Sequence, residues 1–440
     1  MLLPGKPYSK VTEFTRVGTT VNKKRLDSWK GIAVFLGRSL RTVQRWHDCN
    51  GLPVHHFGGH KGSVFAYEEE IDHWLAGLAE ESGSVQVRAD EALESGKRNS
   101  NELTTTANGM WETRSERNIQ AIADLYRKAI GDDPSNSAAY AGLANAMVFC
   151  ALNDIIDGTM AYPSAVEALR RMPQVDSDFL NAKCPAAWID TLYNRNWRQA
   201  RASFEEILSK RPSSFALEGL AAIYIAEGRT LKALECAWEA WRLNPLVSSL
   251  GAFLCWCVYL SGDFQQVLDL VKQIRSGGGD GGLVTAVEAL VLIQGDSVQE
   301  NVGRLEAAAS DFPQNHTLQG ILGFAYGVTG ETSKARSMHE HLTRCSETNR
   351  KSNGYALAIV SMGLGKPDEA ISSLEAAYTE GALWSLGFRS DPMLKPLADD
   401  PRFVRLVSKI GVSTQLRTVA KFQQSVTRSF LETALVGENS

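Results

Sequence analysis

The chain has 440 residues, of which 44% are hydrophobic and 22% charged, as in an ordinary globular protein of two or three domains. Its formal net charge of −4 indicates no overall bias toward nucleic acid or membranes. The charge is divided unevenly, because residues 16–62 contain nine Lys/Arg against two acids and carry +7, which leaves −11 for the remainder. This division suggests a small polyanion-binding unit joined to a larger acidic unit with another role.

The cysteines and the N-terminus both favour a reducing, cytoplasmic location. The seven cysteines are odd in number and scattered without a CxxC pair, which is typical of buried thiols in a reducing compartment. The first residues, MLLPGKPYSK, contain no apolar stretch long enough for a signal peptide. Residues 243–262 carry no charge, but their dense apolar part, 250–260, is far shorter than the ~20 residues that cross a bilayer. We therefore predict a buried helix there and no membrane association.

The first two elements after an irregular tail (residues 1–24) are predicted to be two short helices. Ser28 is placed to cap the first helix, which ends near Gly37. Ser39 caps a second helix that begins at Leu40, and Gly51 ends it. Two short helices separated by Gly-Arg-Ser have the length and turn chemistry of a helix-turn-helix.

The second helix has an apolar face and a cationic face. The apolar face carries Leu40, Val43 and His47, whereas Arg41 and Arg45 lie on the opposite face with Thr42 beside them, and Arg38 precedes the helix. A helix of this kind can enter the major groove of DNA, where guanidinium groups pair with guanine or phosphate. The exposed N-terminus, capped by Ser39, also favours a phosphate.

A glycine-rich hairpin and a third helix are predicted to complete the unit at residues 25–79. The strands lie in 52–57 and 63–67, with His60 and Lys61 at the hairpin tip, where a basic wing would follow the phosphate backbone. A closing helix over 68–78 then turns Ile71, Trp74, Leu75 and Leu78 inward.

The segment SWKGIAVFLGRSLRTVQRW, followed by GLPV, resembles the winged helix-turn-helix of the MerR and excisionase-like group of bacterial proteins. The resemblance covers residues 25–79 and implies binding of double-stranded DNA. Carried over to this chain, it implies that Arg41, Thr42, Gln44 and Arg45 face DNA and that Lys61 lies in the wing. Gln44 lies nearest the core edge. Gly31 stands where the family often has an acidic capping residue, which weakens the first helix.

Residues 80–115 are polar and mostly lack apolar periodicity, so they predict a flexible linker.

Residues 116–412 then repeat a helical pattern, A-x3-[AFLY]-x2-[AI], often closed by a proline five residues later. Its partner helices carry L-[AG]-x2-Y. Small residues let antiparallel helices approach closely, and each pair leaves an apolar face that the next pair must cover. The clearest examples are Ala200–Phe204–Ile207 before Pro212, Ala233–Ala237–Ala240 before Pro245, Leu220–Ala221–Tyr224 and Leu322–Gly323–Tyr326.

This pattern resembles the tetratricopeptide repeat (TPR) and covers most of the chain in six to eight units. The predicted fold is therefore mainly α, a small winged helix-turn-helix followed by an α-solenoid of TPR-like helix pairs. The resemblance implies a concave groove that binds a protein or peptide partner. Residues 391–412 are expected to supply a helix that caps the last repeat, and residues 413–440 form a C-terminal tail.

No catalytic, cofactor or metal constellation is recognisable. RSGGGDGG contains a trivial GxGxxG with no preceding strand, and the adjacent His55 and His56 point to opposite faces of a strand without a completing ligand. We expect a protein that is not an enzyme and that uses no cofactor or metal.

Two functions remain open from the sequence. The leading hypothesis is a bacterial DNA-binding transcriptional regulator whose repeats bind a protein or peptide signal. One small domain makes few phosphate contacts, so a homodimer is expected to help binding. The alternative is a TPR scaffold for protein–protein interaction whose helix-turn-helix does not read DNA.

Overall fold

The structure is a computed structural model, and it divides the chain into two compact units, Met1–Glu94 and Ser95–Ser440. We call them the N-terminal unit and the repeat unit. The predicted C-terminal tail and all of the N-terminal tail but Lys24 lie outside the described residues. The residues that the structure describes are 24–56, 63–173, 179–277, 279, 281–294, 298–349 and 353–411.

The N-terminal unit combines two short helices with a three-stranded antiparallel sheet, whose strand order is β1-β3-β2. In the register, Leu26 of β1 lies opposite Ala66 of β3, and His55 of β2 lies opposite Phe65 of β3. The strand β1 was absent from the sequence prediction. The elements are β1 Arg25–Asp27, α1 Ser28–Phe35, α2 Leu40–Asn50, β2 His55–His56, β3 Val64–Tyr67 and the start of α3 Glu68–Trp111. Its small core consists of Ile32, Ala33, Val43, Leu52, Ala66 and Ile71.

The predicted ends of α2 are confirmed by its hydrogen bonds and backbone angles. The Thr42 backbone N–H donates to Ser39 Oγ at 3.2 Å, and Gly51, with φ of 67°, ends the helix in the left-handed conformation that glycine favours. The inward positions predicted for Leu40 and Leu75 are wrong, because these side chains are 44% and 39% exposed. Val43, one turn after Leu40, is fully buried and closes the core, which leaves Leu40 at the rim.

The repeat unit is built from antiparallel helix pairs, which makes it a TPR-like helical repeat. Successive odd-numbered helices from α5 to α17, here the inner helices, pack on one another, and each even-numbered outer helix between them packs on its two inner neighbours. From α5 to α18 the described residues contain seven such pairs. Their bounds are α4 Ile119–Asp132, α5 Ser137–Leu152, α6 Gly158–Arg171, α7 Phe179–Leu192, α8 Trp197–Lys210, α9 Ser214–Ala226, α10 Thr230–Leu243, α11 Ser248–Ser261, α12 Phe264–Ser276, α13 Gly282–Leu292, α14 Val298–Asp311, α15 His316–Val328, α16 Thr332–Asn349, α17 Gly354–Gly363 and α18 Pro367–Glu380.

The repeated sequence pattern has a direct packing role. The Phe204 ring of α8 lies against Gly219 of α9, where an added Cβ would come within 2.2 Å of the ring. Tyr126 of α4 lies against Gly142 of α5 in the same way, at 2.3 Å. The loops repeat as well, since a proline stops the outer helix and a polar residue such as Ser213 caps the next inner helix.

The predicted linker at residues 80–115 is wrong, because α3 continues to Trp111. Ser100, Thr104 and Asn108 are four residues apart and therefore share one face of this helix. The Ser100 hydroxyl donates to the Ala129 carbonyl at 2.8 Å, and Asn108 accepts a hydrogen bond from the Tyr126 hydroxyl at 2.7 Å. The contact face of α3 thus mixes these polar groups with a few apolar residues, and in the sequence so few did not stand out as a helical pattern. The apolar members are Leu103, Ala107, Met110 and Trp111.

The C-terminal segment, residues 382–411, contains a helix in the stretch predicted to cap the last repeat, and its earlier residues make further contacts that the prediction did not include. It contains two 3-10 helices, Leu383–Gly387 and Pro392–Leu397, and α19 Pro401–Ser408. Arg402 of α19 pairs with Asp368 of α18 at 2.6 Å, as a cap would. Earlier residues instead pack on α9, α11 and α17.

Trp384 anchors the C-terminal segment among helices far apart in sequence. Its ring centroid lies 5.3 Å from that of Trp256 and 5.1 Å from that of Tyr355, and its Nε1 donates to Asp154 at 3.2 Å. Asp391, 5% exposed, accepts hydrogen bonds from Tyr259 and Tyr355. Among the described residues, no helix combines the length and the apolar character needed to cross a membrane.

Candidate functional sites

The first candidate site is the cationic surface of α2, here the α2 surface. Arg38, Arg41 and Arg45 are exposed, and within the described part of the chain no carboxylate is paired with them. Ser39 is exposed beside them, and its Oγ lies 2.7 Å from Thr42 Oγ1. Gln44 is half-buried at the edge of this surface. The residues predicted to contact DNA that lie in the described part of the chain are therefore found together on α2 and in the turn before it.

The predicted wing residues His60 and Lys61 lie outside the described residues. At the base of the same hairpin, His55 Nε2 lies 2.6 Å from Glu70 Oε2, and the His55 ring stacks on Phe65 at 5.1 Å. His55 is thus engaged by its neighbours. In the described ranges no group of three or more His, Cys, Asp or Glu side chains is arranged to hold a metal ion.

The second candidate site is a cavity of about 490 Å³ in the repeat unit, here the Arg114 cavity. A cavity of this size suits a small ligand or a few residues of a peptide. Its wall combines two arginines, four asparagines and several aromatic rings. The lining residues that carry the argument are Asn108, Trp111, Glu112, Arg114, Asn145, Asn181, Arg211, Phe215 and Asn244.

Arg114 is the unusual member of this wall. The side chain is 1% exposed and is packed among the rings of Trp111, Phe149 and Phe215, whose centroids lie 4.4, 5.8 and 5.4 Å from its Cζ. Nη1 donates to the Trp111 carbonyl at 3.1 Å, but the buried Nε and Nη2 have no hydrogen-bond partner among the residues that the structure describes. Leaving the donors of a buried cation unpaired costs several kcal/mol by general estimates (~3–5).

The charges around the Arg114 cavity leave its guanidinium only partly compensated. Burial lowers the pKa of Arg114, and the nearby carboxyl of Glu218 opposes that shift. Burial also raises the pKa of Glu218 to about 7, so this carboxyl is partly neutral near pH 7. At the rim Glu112 accepts a hydrogen bond from Asn244 at 3.0 Å, and Arg211 donates to Asn181.

Asn145 contributes a second unpaired polar group to the same cavity. Within the described ranges its buried Oδ1 has no hydrogen-bond partner. Two residues with unpaired polar atoms, Arg114 and Asn145, therefore line one cavity, and a ligand there that both accepts and donates hydrogen bonds suits their chemistry.

Sequence reasoning missed the Arg114 cavity entirely. Arg114 lies in the stretch predicted as a linker, and Asn145, Asn181 and Arg211 are separated from it by 31 to 97 residues. The one local signal is Trp111, a large aromatic residue in an otherwise polar stretch, which marks a packed site.

The C-terminal segment changes where a partner can bind on the inner helices. Residues 249–260 of α11 are all buried, and Trp256 and Leu260 are covered by Trp384 and Gly387. This part of the inner face, where the sequence resemblance placed a groove for a partner, is filled by the chain itself. The Arg114 cavity is formed by α3, α4, α5, α7, α9, the end of α10 and the loops next to them.

No family model matches the sequence, and no curated protein matches it. Distant similarity to solved structures is found, with 14% identity and a TM-score of 0.42 to the APC/C hetero-tetramer Cut9-Hcn1, over 70% of this chain and 55% of that one. Yeast Tom70 aligns at 12% identity and a TM-score of 0.39, over 86% of this chain and 83% of that one. A tetratricopeptide repeat protein from Parabacteroides merdae aligns at 14% identity and 0.35, over 70% and 99%. The chain spans about half the length of the Cut9-Hcn1 chain. The repeat architecture is established by the helix packing described above and does not depend on these similarities.

Proposed function

We propose that the protein is an interaction scaffold whose repeat unit binds a segment of a partner protein at the Arg114 cavity. The observation that carries the proposal is the unpaired, buried guanidinium of Arg114 in a cavity lined by amides and rings. A protein keeps such a costly group where a ligand offsets the cost. The proposal concerns binding and assigns no catalytic role, cofactor or metal to any residue.

Site-specific photo-crosslinking in the full-length chain tests this proposal. A photoreactive amino acid at Leu243, 38% exposed at the cavity, is compared with one at Val328, 49% exposed at the end of α15. We expect a discrete crosslinked protein at position 243 in cells that produce the chain, and its loss when Arg211→Ala is added. Equal crosslinking at the two positions, or none at 243, argues against a partner at the cavity.

The second candidate function is DNA binding by the N-terminal unit, as the sequence suggested. It is supported by the α2 surface, on which Arg38, Arg41 and Arg45 are exposed beside a capped helix N-terminus. In this reading the chain is a transcriptional regulator. One unit of this size offers little contact area, so we infer that a second copy or a bound partner increases affinity for DNA.

Binding of the full-length chain to a random duplex pool at several salt concentrations tests DNA binding. We expect Arg41→Ala with Arg45→Ala to remove retention, and to lower the slope of log affinity against log salt by about 2 if both residues contact phosphate. The control is Lys128→Ala with Arg171→Ala, two exposed cations of the repeat unit. Enrichment of one motif supports sequence reading, whereas no retention by the wild-type chain leaves the scaffold function alone. Light scattering of the chain with and without duplex measures its mass in solution, and so tests whether a second copy takes part in DNA binding.

A further inference from the structure

We propose that the Arg114 cavity recognises a carboxylate carried by the partner segment, and that Arg114 is the residue that selects it. The inference rests on the proposed scaffold function and names its ligand chemistry. The partner is a peptide segment whose acidic group enters the cavity while the surrounding asparagines bind its backbone.

The orphaned donors define the charge of the ligand. Nε and Nη2 of Arg114 present N–H groups on one edge of a planar guanidinium, a geometry that matches the two oxygens of a carboxylate. The rings of Trp111 and Phe215 beside the guanidinium keep its surroundings apolar. In such surroundings the attraction between the guanidinium and a carboxylate is stronger than it is in water.

The charge balance favours a carboxylate over a phosphate. Arg114 and Arg211 supply two positive charges, and Glu112 and the partly neutral Glu218 offset between one and two of them. At most about one positive charge is left, which suits a single carboxylate. A phosphate monoester carries about −1.5 to −2 at neutral pH and would add repulsion from Glu112.

The asparagines favour a peptide over a free organic acid. Asn108, Asn145, Asn181 and Asn244 come from four different helices or loops, and all line the same cavity. A primary amide both donates and accepts, as a peptide backbone requires, and Asn145 Oδ1 has no partner in the described part of the chain.

The test starts from a random peptide library displayed on phage and selected on the full-length chain. The enriched sequence is synthesised with its Asp and Glu residues, with Asn and Gln in their place, and with a free or an amidated C-terminus. Fluorescence anisotropy then measures the affinity of each peptide for the wild type, for Arg114→Met and for Arg211→Ala. Arg198→Ala is the control, because Arg198 is exposed near the opposite end of α8 from Arg211.

We expect the carboxylate-to-amide change to weaken binding to the wild type by about tenfold or more, and to have little effect on binding to Arg114→Met. Loss of affinity with the side-chain amides places the carboxylate on Asp or Glu, whereas loss with the amidated end places it at the chain terminus. Arg114→Met replaces a buried cation by an apolar side chain of similar length, so its melting temperature is expected to be unchanged or higher.

The possible failures are distinct. If the selected peptides bind at the cavity but the amide versions bind equally well, the carboxylate inference is wrong and the scaffold function stands. If acetate displaces the acidic peptide at comparable concentrations, the ligand is a small acid and not a peptide. If no peptide is retained above the level of the Arg211→Ala variant, the cavity is not a partner site, and both proposals fail. Should Arg114→Met not fold, the exposed Arg211 variant provides the comparison.

Discussion

The arginines at the two candidate sites lie in opposite environments. On the α2 surface of the N-terminal unit, Arg41 and Arg45 are exposed, and the core beneath is a small cluster in the described part of the unit. In the repeat unit, Arg114 is 1% exposed, and Arg201 pairs with the buried Glu227. An exposed arginine costs little when it is unpaired, whereas a buried one must be compensated. The exposed cations thus support the proposed binding of a polyanion, and the buried Arg114 supports the proposed ligand site.

The units also differ in how far apart in sequence their contacts lie. The N-terminal unit packs residues within about 45 positions of one another, from Leu26 to Ile71. In the repeat unit, the hydrogen bond from Trp384 to Asp154 spans 230 positions. The C-terminal segment therefore joins early and late repeats, alongside direct contacts of α18 such as that of Arg195, after α7, with the Tyr378 ring.

The largest expected effect comes from breaking this long-range contact. Trp384→Ala removes a ring held between Trp256 and Tyr355 and should lower the free energy of unfolding of the repeat unit by about 3–5 kcal/mol. Chemical denaturation followed by circular dichroism measures the change. Leu246→Ala is the control, because Leu246 is 67% exposed and should have almost no effect. Similar values for the two variants would show that the segment does not join the repeats.

The next effect concerns pH and the buried acids of the repeat unit. Burial raises the pKa of Glu218 from 4.5 to about 7, so the folded chain holds this proton more tightly than the unfolded chain. The resulting stability is complete below about pH 4.5 and is lost as pH rises through 7, by up to about 3 kcal/mol.

Glu218→Gln tests this account by denaturation at pH 5.5 and pH 8. We expect the variant to lose less stability than the wild type between these values. A residual fall is expected from Asp154, because burial raises its pKa to about 7 as well. An unchanged difference between the two pH values would mean that Glu218 is ionised in the folded chain at little cost.

Much of the fold could be predicted from the sequence, because local chemistry decides it. Ser39 and Gly51 end α2 by hydrogen bonding and backbone conformation, and both act within a few residues. The repeat pattern likewise records neighbouring contacts, such as that between Phe204 and Gly219. Periodicity therefore indicated the helix pairs correctly.

The remaining features could not be predicted, because they depend on polar or distant contacts. Ser100 and Asn108 fix α3 by hydrogen bonds beside only a few apolar contacts, and such a mixed face looks like a linker when only apolar spacing is considered. The position of Trp384 follows from partners in three other parts of the chain. The Arg114 cavity combines residues of several repeats, so no short motif encodes it. By contrast, the α2 surface lies on one helix, and its residues were therefore identifiable.

A smaller effect is expected from the close helix contacts that define the repeats. Gly219→Ala places a Cβ within 2.2 Å of the Phe204 ring and should destabilise the repeat unit by about 1–3 kcal/mol, because the ring must move in a packed core. Gly303→Ala is the matched control, since open space surrounds Gly303 in α14 and alanine favours a helix. The two substitutions should therefore change stability in opposite directions, as measured by thermal unfolding. Equal shifts would indicate that α8 and α9 are loosely packed.

The smallest effect, about 1 kcal/mol, is expected in the N-terminal unit. Ser39→Ala removes the acceptor of the Thr42 N–H and should speed hydrogen exchange of that amide, because the first turn of α2 loses its cap. Ser39→Asn keeps an acceptor and should preserve protection. The loss should stay within the N-terminal unit, since the contacts that the structure describes for α2 lie within that unit. Faster exchange of inner-helix amides in Ser39→Ala would contradict the contrast between a locally stabilised unit and one held by distant contacts.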